Sequence, residues 1–550
     1  MAEVIGVLGI VGVVDVCWKW GKKLIETCEA FRYASSQLDE YICRLEARWL
    51  RIEDQIQMVR KMEPLLDGRQ RAVQQRSLEM VVVKLKAAVS RLESVIDKRW
   101  KYPIVKEALA EAISELETWQ QIFDPSWFLL LRIADPQVDS LLDVTKPRVD
   151  SGREGLSMPL SAARSMRRAI NSDRADDTGG SKIYFSWKGL VAESIRQIPF
   201  STASTIQRAD NKQSVLLDPI TCASRSSVNT MTRDIRNFAR SLRYTNSSTF
   251  GLLECKGVLR EEEGDGTAVA AAAAAVMVAG GGARPVLPAG LGFIFRLPVT
   301  HPHVESLRGR LLGGADRAHN SLSERFVLAR QIAAAVSYVH LYGYVHKNIR
   351  PETILLCHSI PPGSRLGEGG EDTEVVASET VALVGFDVLR EAEGKSCRVG
   401  DDDWEKNLYR HPQRQGRSLQ VDYEMRHDIY SLGVCLLEMG LWENFVDCRA
   451  GSGVPLVGPG LGVPDGKMSG PELLKDPERV KDHLLLRLAR GLLRRRMGTV
   501  YAKIVETCLT CLDRDNLDFG DEKAFQDEDG VAVGVRYIEK VVMRLGEITV

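Results

Sequence analysis

The 550-residue sequence has no excess charge of either sign: 73 Lys and Arg stand against 74 Asp and Glu, a net charge of -1. Nothing therefore draws the whole chain toward nucleic acid or an acidic membrane. It also lacks any regular cysteine spacing. The eleven cysteines (Cys17, Cys28, Cys43, Cys222, Cys255, Cys357, Cys397, Cys435, Cys448, Cys508 and Cys511) are odd in number and scattered. This argues against a disulfide framework and for a reducing, cytoplasmic setting. No apolar run reaches the roughly 20 residues of a membrane-spanning helix; the run Val4–Val14 ends at Asp15. No basic segment precedes it and no A-x-A site follows, so a secretory signal is not expected. The alanine- and glycine-rich tract 267–283 reads as a surface insert. His301 and His303 flank a proline without further metal ligands, and no Ser-His-Asp set or nucleic-acid module is present. Cys508-Leu-Thr-Cys511 has no second pair; it fits one face of a buried helix, or metal or redox chemistry.

What is present is core material. Hydrophobic residues make up 44% and charged residues 27%, enough for two to four globular domains. Residues 1–145 predict a helical bundle. Leu38, Ile42, Leu45, Trp49, Ile52, Ile56 and Val59 alternate at spacings of four and three, as do Leu78, Val82, Leu85, Val89, Leu92 and Ile96. A third such series is Val105, Leu109, Ala112, Leu116, Trp119 and Phe123. Each series puts one apolar stripe on one helix. Gly68 and Pro103 mark the joins, and Asp124-Pro125 predicts a break followed by a new short helix. Residues 146–180 lack a period and read as a linker. Beyond it, strands are expected at 182–191, 250–261 and 291–299, and helices at 322–341, 429–441, 484–493 and 501–512; 363–374 and 451–470 read as exposed loops. Strands first and helices afterwards make an α+β region.

The stretch Tyr344-Val-His-Lys-Asn-Ile-Arg-Pro-Glu-Thr-Ile-Leu-Leu356 resembles the protein-kinase catalytic loop H-R-D-L-K-P-E-N and the short strand after it. His346, Pro351, Glu352, Ile354 and Leu355 fall on family positions. Val381 to Arg390 resembles the strand leading into D-F-G, Tyr409-Arg-His-Pro-Gln413 the Y-R-A-P-E segment, and His427-Asp-Ile-Tyr-Ser-Leu-Gly433 the central helix whose aspartate, here Asp428, braces the loop. The resemblance implies a bilobal kinase-like domain over 181–550, with a small lobe of about 181–300 and a large lobe of about 301–550. The family uses ATP with magnesium; for this chain no cofactor is firmly expected, and ATP with magnesium stays open.

The residues that would carry phosphoryl transfer are replaced. The base position is Asn348, the magnesium-binding asparagine position Thr353, the D-F-G aspartate position Gly385, and the loop lysine position Arg350. An amide cannot accept the substrate hydroxyl's proton, and a base alone is worth about 10²–10⁴-fold. The pattern is that of a pseudokinase. Asp387, two residues beyond the metal position, is the remaining candidate for magnesium. Lys188, in Phe185-Ser-Trp-Lys188, is the candidate strand lysine for nucleotide phosphates, with Asp234 as the nearest acidic partner; no G-x-G-x-x-G is found.

The opening apolar helix, the long amphipathic helices and the Phe123-Asp-Pro-Ser-Trp-Phe128 segment resemble the HeLo and HeLo-like domains of fungal proteins over residues 1–145. That resemblance implies a heterokaryon-incompatibility-like cell-death effector. Its bundle would be governed by the kinase-like domain, with residues 4–18 either buried in the bundle or released to a membrane. Two alternatives stay open: an active ATP-dependent Ser/Thr kinase with unorthodox motifs, and a non-catalytic scaffold for protein partners. Arg487, Arg490 and Arg494 to Arg496 form a basic helical patch, either a solvated face or a contact for anionic lipid or a partner.

Overall fold

The computed structural model describes residues 9–32, 36–66, 68–97, 102–133, 137–144, 160, 162–164, 166–167, 183–220, 228–245, 250–260, 291–313, 321–359, 379–386, 390–391, 400–417, 419, 421–449, 454–463, 469–520 and 531–548. The chain divides into two compact units, Met1–Ser172 and Asp173–Val550.

The first unit is a helical bundle of α1 (Ile10–Glu29), α2 (Ser36–Met62), α3 (Gly68–Asp97), α4 (Tyr102–Ile133) and the short α5 (Gln137–Val144). Helices α1 and α4 each pack on both α2 and α3. The three apolar series line the core, except Ile96, which ends α3 38% exposed. Helix α1 contributes Val13, Val14, Cys17 and Leu24 to that core, while Trp18 stays 44% exposed and donates its indole N–H to Glu53. Residues 4–8 of the first apolar run lie outside the described residues. A Cβ on Gly21 would lie 1.9 Å from the Trp49 ring, so only glycine lets α1 approach α2 this closely.

The break expected at Asp124-Pro125 does not occur: α4 runs through Pro125. Phe123, Trp127, Phe128 and Leu131 are all buried, and core packing outweighs the backbone hydrogen bond that proline forgoes. Asp124 is carried inside with them. Burial raises its carboxyl above the ordinary range, although Arg51 at 3.6 Å and a 2.7 Å hydrogen bond from Gln55 oppose that rise. Part of the segment expected to be linker also differs. Residue 160 and residues 162–164 and 166–167 are helical; Leu160, Ala163 and Met166 are buried, and Arg167 pairs with Asp139 on α5.

The second unit begins with six strands: β1 (Tyr184–Phe185), β2 (Leu190–Gln197), β3 (Ser204–Arg208), β4 (Ser214–Pro219), β5 (Cys255–Arg260) and β6 (Leu291–Arg296), with α6 (Val228–Ser241) between β4 and β5. They form one sheet in the order β1-β5-β6-β4-β3-β2, antiparallel except where β1 joins β5. Strands β3 and β4 were not legible beforehand. Alternation sorts the sheet's two faces. Val215, Leu217 and Ile294 join Trp187, Ile195, Ile206 and Leu259 in one cluster. Asp218, Phe293 and Phe295 point to the other face, where Phe238 of α6 packs.

After the sheet come β7 (His303–Ser306), α7 (Leu307–Leu312), α8 (Leu322–Leu341), β8 (Tyr344–Val345), β9 (Ile354–His358), β10 (Glu379–Leu383), β11 (Arg390–Glu391) and α9 (Met425–Leu441). A capping box of Ser321 and Glu324 opens α8. Every residue of α9 is buried, so the helices that follow pack around it. A π-helix (His483–Leu493) runs into α10 (Arg494–Leu509), which is interrupted at Gly498. Within the stretch expected to be an exposed loop, Leu456-Val457 pairs with Val446-Asp447 as a short ribbon. Sheet first and helices afterwards make this unit α+β.

Candidate functional site

Five of the candidate residues meet in one buried knot, built from the segment between β8 and β9 and the residues just after β10. The His346 ring donates from Nε2 to the Val384 carbonyl at 3.0 Å, while Nδ1 accepts from the Asn348 N–H at 3.2 Å. Asn348 is used at both ends: Oδ1 accepts from Arg350 Nε at 2.9 Å, and Nδ2 donates to the Gly385 carbonyl at 3.3 Å. The Thr353 hydroxyl donates to the Asn348 carbonyl at 2.8 Å and accepts from the Arg350 N–H at 3.2 Å. These side chains hold one another, and their polar atoms are directed at the chain itself.

Asp428, at the start of α9, anchors the knot. Its carboxylate accepts from the His346 and Lys347 N–H groups at 2.8 and 2.9 Å, from the Tyr423 hydroxyl at 2.7 Å, and lies 3.0 Å from His340 Nε2. Burial would raise its carboxyl, but these hydrogen bonds and the neighbouring imidazoles bring it below the usual range. They also hold Lys347 in the left-handed region, φ 66, a conformation that costs about 1–3 kcal/mol.

Phe386 follows Gly385 into an aromatic column. Its ring lies 4.8 Å from both His346 and Phe238, and 6.1 and 6.2 Å from Phe293 and Phe295. The Gly385 and Phe386 N–H groups both donate to Asp218 Oδ2, at 2.8 and 3.2 Å. Asp218 is fully buried, and it is the residue that sequence reasoning missed. Strand β4 is the third of the meander β2-β3-β4 and reads Val215-Leu-Leu-Asp218. In the kinase pattern the third strand carries V-A-I-K, whose lysine meets the nucleotide phosphates. The apolar run Val215-Leu-Leu217 was the available signal for this strand.

No family model matches the chain. Over 116 residues, 20% of the chain, it is 29% identical to a protein of Dictyostelium discoideum described as a probable serine/threonine-protein kinase. The chain spans 17% of the length of that curated relative. The similarity is to a kinase-like protein, over that stretch.

The remaining candidates lie outside the knot. Lys188 is not on a strand: its backbone lies in the 3-10 turn Trp187–Gly189 ahead of β2, because the sheet's first long strand starts only at Leu190. Its side chain lies outside the described residues, as do Asp387 and the tract 267–283. Asp234 is buried on α6, with Arg233 at 3.6 Å. The β2–β3 turn, where a kinase has its glycine-rich loop, reads Ile198-Pro-Phe-Ser-Thr-Ala203 and is fastened down. Ser201 Oγ donates to the Glu352 carbonyl at 2.8 Å, and Ser306 Oγ donates to the Pro199 carbonyl at 2.6 Å. Among the described residues no cluster of His, Cys, Asp and Glu could hold a metal. Cys508 and Cys511 are both buried, which pushes both thiols up and away from thiolate chemistry.

Below the knot lies a second buried group. Arg308 of α7 is fully buried and donates to Glu352 at 2.8 Å, to Glu438 of α9 at 2.5 Å and to the Tyr409 hydroxyl at 2.5 Å. Tyr409 in turn donates to Glu438 at 2.5 Å, and so does the Phe445 N–H at 2.6 Å. Burial would raise the Glu352 carboxyl, but Arg308 and Arg350 hold it below the ordinary range. The group ties α7, the loop, the Tyr409 segment and α9 together.

Proposed function

We propose that the second unit is a bilobal pseudokinase and that the chain acts in signalling through conformation and protein contacts. The observation that carries this reading is Asp218. A fully buried carboxylate, bonded to the Gly385 and Phe386 N–H groups, occupies the position where phosphoryl transfer needs a lysine cation. A triphosphate would meet negative charge at that position instead of positive. Asn348, Thr353 and Gly385 remove the base and two metal ligands besides, and the Ser201–Glu352 bond closes the phosphate turn over the loop.

The test is a melting-temperature titration of the full chain with ATP, with and without magnesium. No shift at millimolar nucleotide is expected. A magnesium-dependent shift that Asp387→Ala removes would restore the reading as an active Ser/Thr kinase, which the description of the Dictyostelium relative favours.

The HeLo-like resemblance of the bundle supports a role as a cell-death effector, with the kinase-like unit as its control. No described helix is long and apolar enough to cross a membrane; in this reading, membrane contact through residues 4–18 follows activation. A Cβ on Gly9 meets nothing within 4 Å, so Gly9→Asp leaves the fold intact. The expected outcome is loss of toxicity on expression; unchanged toxicity would remove the first helix from the mechanism.

A further inference from the structure

The chain balances its charges as a whole, but not locally. The 23 residues from His483 to Val505 hold Arg487, Arg490, Arg494, Arg495, Arg496 and Lys503 and no acid at all. They form a helical hairpin. The π-helix runs into the first turn of α10, Gly498 breaks the path at φ 83, and the chain returns as the rest of α10. Arg490 and Glu506, on opposite arms, pair at 2.5 Å across it.

Two of the six cations have acidic partners, Arg490 with Glu506 and Arg496 with Glu443. Arg494 donates to the Thr499 hydroxyl. Arg487, Arg495 and Lys503 are exposed and make no ion pair among the described residues. Two large apolar side chains stand among them in water, Leu486 at 53% and Val500 at 51% exposed. The opposite side of the hairpin is firmly seated, with Leu484, Leu488, Leu493, Met497, Tyr501 and Ile504 buried against the core around α9. The outer face thus presents arginine, lysine and isolated aliphatic side chains, with Glu506 and Glu443 each held by an arginine. An extended π-helix is rare, and such segments concentrate at functional sites.

We infer that this face docks the second unit on an anionic phospholipid surface. Cations spread along a hairpin match many headgroups at once, and each contributes through the negative surface potential. Leu486 and Val500 sit where short aliphatic side chains enter the headgroup boundary. Single-stranded nucleic acid would ask for aromatic side chains on which bases stack, and the run His483–Val505 offers only the buried Tyr501. The contact is separate from that of residues 4–18 and does not depend on the loss of phosphoryl transfer.

The test is co-sedimentation of the full chain with vesicles of phosphatidylcholine alone and of phosphatidylcholine mixed with phosphatidylserine. Binding is expected only to the mixed vesicles, and to fall with salt. The double variant Arg487→Glu, Arg495→Glu should weaken it at least about tenfold with the melting temperature unchanged. Leu486→Ser and Lys503→Gln, each conservative for the fold, should weaken it by less. Binding unaltered in these variants but lost on reversing the charges of Lys19 and Lys22, two lysines of helix α1 in the bundle, would overturn the inference in favour of the bundle. Retention by RNA with no retention by mixed vesicles would overturn it too.

Discussion

Thr353 fills the space that a side chain at residue 385 would need. A Cβ on Gly385 would lie 2.3 Å from Thr353 Cγ2 and 2.9 Å from Thr353 Cβ. Residues 353 and 385 are therefore immediate neighbours, and each residue type suits the other. Gly385 also adopts φ 82, which asks for glycine.

Gly385→Ala should destabilise the second unit, by about 1–3 kcal/mol from crowding and a similar amount from the dihedral. Thr353→Ser, which keeps the hydroxyl's hydrogen bonds and removes the γ-methyl, should recover part of the crowding cost in the double variant. Denaturant unfolding of the four proteins checks it. Strict additivity would show that the two residues do not share this space.

Removing Arg308 should be among the most damaging single changes in the chain. Arg308→Met leaves Glu438 buried without its cation and Glu352 with only Arg350 at 3.6 Å, at about 3–5 kcal/mol. Tyr409→Phe, which removes one hydroxyl from the same group, should cost about 1 kcal/mol. Melting curves of the two variants test the order; equal losses would mean that Arg308 acts by packing alone.

His411 and His427 make the second unit sensitive to mild acid. Burial, with Lys481 beside His411 and Arg414 beside His427, lowers their pKa values to about 2 and about 3 from an ordinary 6.5. An unfolded chain binds protons below pH 6.5 that the folded one refuses. The stability they allow is complete above pH 6.5 and drains as pH falls toward 3, at about 1.4 kcal/mol per histidine per pH unit. The melting temperature should drop from pH 7 to pH 5, and His411→Asn should flatten that slope. A variant with the wild-type slope would assign the acid sensitivity elsewhere.

The bundle was legible because its signal is local. Spacings of four and three from Leu38 to Val59 determine a helix and the face it buries, and all seven residues are buried. Asp124-Pro125 misled because N-capping and proline rules are also local, whereas Phe123, Trp127 and Phe128 answer to a core built by other helices. The residues of the loop 344–356 could be named from their spacing. The residue across from them could not, since Asp218 lies 167 residues from Gly385 in the chain.

Sequence alone determined which chemical groups the site has: an amide at 348, a hydroxyl at 353, no side chain at 385. In the kinase reading proposed above, those identities remove a base and two metal ligands. Only the tertiary structure decided what replaced them. Strand order brought β4 beside β6, and alternation along β4 turned Asp218 toward Phe386. Burial then required both its carboxylate and the Gly385 and Phe386 N–H groups to find partners, and they found each other.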